Sequence, residues 1–525
     1  MKIKLLKLMC LSGLMFTSTV FATTAVLEDF SQGISLSKYK SAEESILIDD
    51  TNQRLNFSQK AKANKENFRG NSQKFKNGDI NLIQADLTLT SISLGNSSTQ
   101  QAFLTIGGTF YNANNAAPTS ALGDVFVRLA IGDRGNGPEA WYEIFTSTTT
   151  DFTKSTVVTG KLGDVTLDTT YPVSIFYNGN KTFTFNFNNG EAIPVDGPNR
   201  LGATSRSMRN VGTVLRFGGV NSTPNDLADA VADDKTLATI SGHMDNLTSE
   251  AGLLDDFADA NLSQAIWNFD QYSTTIVNQN LEMKVHNQVS EIKSVNLIPR
   301  QKRMTSFGAT VTLLSSSTQN ATTRIQALLG HHLSNDTYNA ANGDVMNGYE
   351  GAIETYFVIE RKEGVNRATV SAARSEDAAG DKSSDIFFET IKEINFDQPY
   401  VLLIEQDGTV VTYKMDGTLV YTVDLATYVT EEEGSAYVPT GNLYAPSGEV
   451  ESYIFTRVGM AAGKAHARFD DIVADAASVT AANAADATPA SASASSGGSG
   501  AFNPLPFISV WLLLIGFRLG RRYVN

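Results

Sequence analysis

The chain has 525 residues, 18% of them charged, a single cysteine and a net charge of −15. This composition excludes a disordered or collagen-like chain. With no cluster of five or more basic residues, it also excludes nucleic acid as a partner, because phosphate binding needs positive charge.

Residues 1–22 read as a secretory signal peptide. Lys2, Lys4 and Lys7 form a positive start, Leu8 to Phe16 is apolar, and Val20-Phe21-Ala22 places small residues where signal peptidase cuts, after Ala22. Cys10, the sole cysteine, lies inside this segment. The remaining chain therefore has no disulfide, thiol nucleophile or cysteine metal ligand, and a large core must supply its stability.

Residues 23–475 are one unit written twice. Val26-Leu27-Glu28-Asp29-Phe30 recurs as Leu253-Leu254-Asp255-Asp256-Phe257, and Asn52-Gln53-Arg54-Leu55 as Asn278-Gln279-Asn280-Leu281. Ser97-Ser98-Thr99-Gln100 recurs as Ser316-Ser317-Thr318-Gln319, and Pro172 as Pro399. Arg216-Phe217-Gly218 matches Arg457-Val458-Gly459, and Met244-Asp245-Asn246-Leu247 matches Phe469-Asp470-Asp471-Ile472. The order is kept throughout, and the period is too long for a solenoid. Each copy is a whole domain, with boundaries expected at 23–250 and 251–475.

Strand signals are clear in the later part of each copy. Val173 to Tyr177 is apolar, Asn178-Gly179 turns the chain, Thr182 to Phe187 alternates strictly, and Asn189-Gly190 turns it again. The second copy has runs Val401–Ile404, Val410–Tyr413 and Leu419–Val423 separated by Asp407-Gly408 and Asp416-Gly417. Period-two alternation buries one face of each strand. Nearly all strand and turn, each copy is expected to form two stacked antiparallel sheets. The fold class is all-β: two tandem antiparallel β-sandwich domains plus a C-terminal hydrophobic helix.

Each unit opens on an acidic-Phe strand and closes on one carrying Asp. That arrangement resembles the concanavalin A-like, or laminin G-like, jelly roll. The resemblance implies that the first and last strands of each copy lie side by side and that the domains bind a polysaccharide or surface glycan.

Residues 476–500 form an Ala/Ser/Gly-rich linker. Residues 501–525 hold an apolar run from Leu505 to Phe517, followed by Arg518, Arg521 and Arg522. Thirteen residues make roughly 20 Å of helix, enough to span a thin membrane when Phe502 and Leu519 are included. The arginines then stay cytoplasmic. Together with Gly497-Gly498-Ser499-Gly500, this tail resembles a GlyGly-CTERM sorting signal. The resemblance implies a rhombosortase-type protease that cleaves near Gly497 and Gly498. It also implies release to the surface or medium of a Gram-negative cell. Pro504, Pro506 and Tyr523-Val524-Asn525 depart from the pattern, and a permanent C-terminal anchor is the alternative.

Catalytic signals are sparse. No G-x-S-x-G elbow, H-E-x-x-H or P-loop occurs. His331 and His332 are adjacent, so a strand points them to opposite faces, and a structural role is expected for both. Glu405-Gln406-Asp407 is the nearest match to a glycosidase carboxylate pair, but Asp407-Gly408 reads better as a turn. Glu354 and Glu360 are too far apart to form one. Asp29 and Asp245 in the first copy, and Asp256 and Asp470 in the second, are expected to meet in pairs if first and last strands pair. Such carboxylates suit a structural Ca²⁺ or simply cap edge strands. Trp141, Tyr142 and Trp267 are candidate sugar-stacking residues, with core packing as the alternative. The leading expectation is an exported, non-catalytic glycan- or surface-polymer-binding protein. An exported polysaccharide hydrolase or lyase, and a structural adhesion or matrix protein, are the alternatives.

Overall fold

A computed structural model describes residues 24–35, 38–39, 43–49, 51–61, 69–73, 80–94, 100–111, 124–147, 154–178, 182–197, 205–217, 238–258, 271–287, 292–299, 301, 304–333, 353–375, 383–425, 450–477 and 480. The expected signal peptide with Ala22, the aromatic Trp267, and the expected sorting tail with Gly497 and Gly498 lie outside the described residues. Among the described residues no helix is long and apolar enough to cross a membrane.

The first half contributes β1 (Thr24–Glu28), β2 (Glu44–Asp49), β3 (Arg54–Ala61), β4 (Arg69–Gln73), β5 (Leu82–Ser93), β6 (Gln100–Tyr111), β7 (Val125–Asp133), β8 (Pro138–Ser147), β9 (Lys154–Asp164), β10 (Thr170–Tyr177), β11 (Thr182–Phe187), β12 (Ile193–Asp196), β13 (Ser205–Phe217) and β14 (Ala238–Ser249). The second half repeats the series as β15 (Gly252–Asp255), β16 (Gln271–Val277), β17 (Asn280–Asn287), β18 (Lys293–Leu297), β19 (Ser306–Leu313), β20 (Arg324–Leu333), β21 (Ile353–Lys362), β22 (Val365–Ser375), β23 (Ser383–Glu393), β24 (Tyr400–Asp407), β25 (Val410–Met415), β26 (Thr418–Asp424), β27 (Val450–Gly459) and β28 (Gly463–Asp475).

The protein is all-β, and its halves share one topology. Two six-stranded sheets run β4-β13-β6-β7-β8-β9 and β18-β27-β20-β21-β22-β23. Each packs on one half of a 16-stranded sheet, ordered β12-β11-β10-β5-β14-β3-β2 and then β16-β17-β28-β19-β24-β25-β26. The halves of the large sheet join where β2 pairs antiparallel with β16. Ile46 there faces Tyr272, its own counterpart, as a two-fold relation between copies requires.

Backbone detail repeats with the topology. Left-handed residues recur as Phe30 and Phe257, Gln53 and Gln279, Asp168 and Asp397, and Asn246 and Asp471. The hydroxyl of Tyr171 accepts from Thr166 N at 2.8 Å, and the hydroxyl of Tyr400 accepts from Asn395 N at the same distance. Met415 pairs with Thr418 across the left-handed Asp416-Gly417, the turn expected from sequence. Two other turns sit one residue from the expected dipeptides. Gly408-Thr409 closes β24–β25, and Asn188 and Asn189 carry the positive φ values after β11.

One feature departs from the expected arrangement. First and last strands do lie side by side, but across copies: β1 pairs with β28, and β15 pairs with β14. The registers are equivalent, since Ala25 faces Ala474 as Gly252 faces Ser249, and Val26 faces Val473 as Leu253 faces Thr248. The cause is local. Only Glu250 and Ala251 separate β14 from β15, so β15 turns straight back on its predecessor as a hairpin. The matching slot beside β28 is then filled by β1.

The cores follow the exchange. Leu27, Phe30, Ile34 and Tyr39 pack into the second module with Phe307, Val311, Phe357 and Phe469. Phe257 packs into the first module with Leu87, Leu104, Leu129 and Met244.

Candidate functional site

Strand alternation sends one set of side chains from each six-stranded sheet into its core and the other set outward. The outward sets are where uncommon chemistry collects. In the first module β6, β7 and β8 place Phe103, Ala130 and Trp141 together, all three fully buried and separate from the main core. Trp141 meets Phe103 edge-on at 5.3 Å between centroids. The Arg128 guanidinium lies over Phe103 and Phe145, and that of Arg134 lies 4.6 Å above the Trp141 ring. Glu143 accepts from Arg128, and Glu139 pairs with Arg134 at 2.7 Å and Lys161 at 3.6 Å. The Trp141 Nε1–H has no hydrogen-bond partner.

The second module has a corresponding cluster on its outward face. Leu328, Tyr356, Val358, Tyr453 and Phe455 form it, again separate from the main core. Gly330 permits it, since a Cβ there would sit 2.1 Å from the Tyr453 ring. At one end a polar row crosses four strands: Arg457 on β27, Gln326 on β20, Glu360 on β21 and Arg367 on β22, in direct register. Glu360 is fully buried and accepts from Arg324 at 2.8 Å, Gln326 at 2.8 Å and Arg367 at 2.9 Å. Burial alone would raise its pKa, but Arg324 and Arg367 outweigh burial and hold it below the usual carboxylate value. Arg457 donates Nε to Gln326 and stacks near Phe455, yet its Nη1 has no hydrogen-bond partner. Burial, then the neighbouring Arg324, pulls its pKa down to about 9. At the far end of β21 the Tyr356 hydroxyl donates to Glu354.

The recurrent arginine of the repeat belongs to this row. Arg216 faces Gln101 in register, as Arg457 faces Gln326. The duplicated Arg-x-Gly motif was therefore the sequence signal for this position; its glutamine partner carried no signal of its own.

The predicted aromatic residues do not act as one pair. Trp141 and Tyr142 are adjacent on β8, so they point to opposite faces. Trp141 joins the outward cluster, while Tyr142 packs inward and stacks on Phe185 at 4.7 Å between centroids. One sugar cannot lie on both rings. Trp141 itself is 0% exposed, so its ring is covered in this conformation.

The four predicted aspartates meet in pairs, but strand exchange changes the pairs. The Asp29 charge acts on Asp470, and the Asp256 charge acts on Asp245. Burial first, and then neighbouring carboxylates, raise the pKa of both Asp245 and Asp470. Each of the four already accepts a backbone N–H one or two residues ahead: Asp29 from Ser31, Asp245 from Asn246, Asp256 from Ala258 and Asp470 from Asp471. Ca²⁺ takes six to eight oxygens. Asp86 adds to the Asp245–Asp256 edge and Asp471 to the Asp29–Asp470 edge, and among the described residues no group of three or more His, Cys, Asp or Glu is gathered closely enough to hold a metal.

His331 points into the second core and His332 to the other face, as alternation requires. His331 bonds Ser452 Oγ at 2.9 Å and Gln406 Oε1 at 3.1 Å, and burial lowers its pKa to about 4. Elsewhere, on the outward side of the large sheet, His286 Nε2 meets His466 Nε2 at 2.8 Å. Burial, then the His466 charge, lowers the His286 pKa to about 2. Glu405 is held by Lys414 at 2.6 Å.

No protein-family model matches the chain, and no curated protein matches it. Solved structures do. A carbohydrate-binding module from Bacillus subtilis aligns at 11% identity and a TM-score of 0.21, covering 39% of this chain and 92% of that one. Domains LG4-5 of the mouse laminin α1 chain align at 10% identity and a TM-score of 0.20, covering 75% of this chain and 80% of that one. The catalytic domain of an endo-1,3-β-glucanase from Thermotoga petrophila aligns at 13% identity and a TM-score of 0.25, covering 40% of this chain and 81% of that one. Overlaps this small say nothing of ligand or activity.

Proposed function

We propose that this is an exported, non-catalytic protein that binds glycans or surface polymers through the outward faces of its two six-stranded sheets. One observation carries the reading. Both modules build, on corresponding outward faces, an aromatic cluster bordered by arginine–carboxylate contacts, and each face holds a buried donor without a partner, on a different strand: Trp141 Nε1 on β8 in one and Arg457 Nη1 on β27 in the other. An unsatisfied buried donor costs about 1–3 kcal/mol; Trp141 is fully buried, so a polar ligand would recover that cost only once the cover over the ring opens. Aromatic rings match the apolar faces of sugars, and their neighbouring charged groups match hydroxyls. Two such faces on one chain add avidity.

Glycoside hydrolysis needs one carboxyl held protonated beside an ionised one. Glu139 and Glu143 are instead engaged by arginines, and so is Glu360, whose arginine partners hold it in the ionised form. A glycan array probed with the purified protein tests the reading, and retention on a defined subset of polysaccharides is expected. Absence of binding across the array would refute it. New reducing ends or unsaturated products from incubated polysaccharides would replace it with a hydrolase or lyase.

A further inference from the structure

The cover over Trp141 has a fixed part and a movable part. Phe103 on β6 and Ala130 on β7 pack against the indole from the sheet itself, where strand pairing holds them. Arg134 covers a ring face, its guanidinium carbon 4.6 Å from the centroid. It belongs to the turn between β7 and β8, where Gly135 and Asn136 are exposed. Its side chain is 19% exposed, so solvent reaches it. Nε donates to Glu139 Oε1 at 2.7 Å, and Nη1 donates to Thr159 Oγ1 at 3.3 Å. Nothing lies within 4 Å of a Cβ placed on Gly137, so the turn borders open space. Releasing Arg134 would strip a cation from the buried Glu139, which is costly when nothing replaces it. A replacement stands beside it. Lys161 Nζ lies 3.6 Å from Glu139 Oε2 and 2.6 Å from Asp164 Oδ1. Asp164 is 89% exposed, so water screens its hold on Lys161. Glu139 therefore has one partner that covers Trp141 and a second that does not.

We propose that Arg134 is a displaceable cover on a sugar platform: it swings out to solvent, Lys161 takes over Glu139, and a sugar ring replaces the guanidinium on Trp141. The inference rests on the glycan-binding reading above and names the residue that gates it on the first face. Guanidinium and sugar compete for the same ring face, because a cation and the C–H face of a pyranose both seek the negative face of an aromatic ring. The sugar has the advantage of its hydroxyls, one of which can accept from the unpartnered Trp141 Nε1–H. The cover keeps a large aromatic ring out of water while no ligand is bound. Its displacement lowers the apparent affinity by the fraction of time the ring is open, so removing Arg134 strengthens binding. A residue that merely contacted the sugar would have the opposite effect.

Tryptophan fluorescence of the intact chain tests this. The chain has three tryptophans, and Trp267→Phe with Trp511→Phe leaves Trp141 as the only indole. Acrylamide, a neutral quencher, should reach Trp141 poorly in that background and severalfold better after Arg134→Ala. The polysaccharides retained on the array are then titrated against the Trp141 signal, which reports the first face alone. Arg134→Ala should tighten their binding by roughly twofold to 30-fold, the equilibrium factor of a cation–π contact. Lys161→Ala should weaken it while leaving acrylamide quenching of the free protein unchanged, since Lys161 is needed only when Arg134 leaves. Thermal melting checks that both variants are folded. Lys161 is 51% exposed, so its variant carries the test if Arg134→Ala does not fold. Unchanged quenching after Arg134→Ala would overturn the inference. So would equal or weaker binding by Arg134→Ala, or unaltered binding by Lys161→Ala, and each of these leaves glycan binding standing. Absence of binding by the wild-type protein to every polysaccharide would remove both.

Discussion

Leu27→Ala asks which module the N-terminal strand belongs to. Leu27 sits on β1, is 2% exposed, and lies in the core of the second module with Phe307 and Phe469. Truncating a buried leucine costs about 2–5 kcal/mol, through lost transfer energy and the cavity left behind. Hydrogen exchange reads that loss locally: when exchange proceeds through opening of the module, protection should fall by roughly 30-fold to a few thousand-fold. The loss is expected in β28, which pairs with β1, and in β19 on the other side of β28, while β14, β5 and β3 keep wild-type protection. Phe257→Ala is the mirror experiment, since Phe257 packs into the first core, and it should loosen β14 and β5 and spare β28. Loss of protection in β14 on Leu27→Ala, with β28 unchanged, would refute the strand exchange.

Other outcomes follow from the same geometry. Glu360→Gln removes the buried carboxylate that Arg324 and Arg367 both pair with, and a loss of about 3–5 kcal/mol is expected by chemical denaturation. Gly330→Ala drives a Cβ into the Tyr453 ring, so a melting-point decrease worth about 1–3 kcal/mol should accompany weaker polymer binding by the second face. Acid sensitivity should come from the buried histidines. The folded pKa values of His331, about 4, and His286, about 2, lie below the ordinary 6.5, so the unfolded chain takes up protons first. Nothing is lost above pH 6.5; below it, each residue removes about 1.4 kcal/mol per pH unit until its folded pKa is reached. Stability measured from pH 7 to pH 4.5 should fall less steeply in His331→Asn than in wild type, and parallel slopes would contradict the assignment.

Much of this architecture is written in local pattern. The repeat was legible because each copy must satisfy the same left-handed turn and strand register, so Asp416-Gly417 and the paired Phe30 and Phe257 recur. His331 and His332 were separable by alternation alone. The partner choice of β1 was harder to see, because Val26-Leu27-Glu28 and Leu253-Leu254-Asp255 fit either last strand equally well. The deciding feature was the two-residue spacer Glu250-Ala251, which makes β14 and β15 a hairpin before any distant strand can compete. The outward clusters were partly hidden for another reason. Buried rings and arginines on an outer sheet face have the same alternation as core residues, so Trp141 alone did not reveal its companions Phe103, Arg134 and Glu139. The row through Glu360 joins four strands distant in sequence, and only its arginine recurred as a motif.

Strand exchange between two copies of one β-sandwich is the claim on which the rest stands, and cysteine pairing tests it most directly. The chain's only cysteine is Cys10, so introduced pairs report cleanly. Ala25 faces Ala474 across β1 and β28, whereas an unexchanged chain would set Ala25 against Ser249. The double variant Ala25→Cys/Ala474→Cys should oxidise to an intramolecular disulfide, seen by mass spectrometry of monomeric protein, and Ala25→Cys/Ser249→Cys should not. The opposite pattern would show that each copy keeps its own first strand.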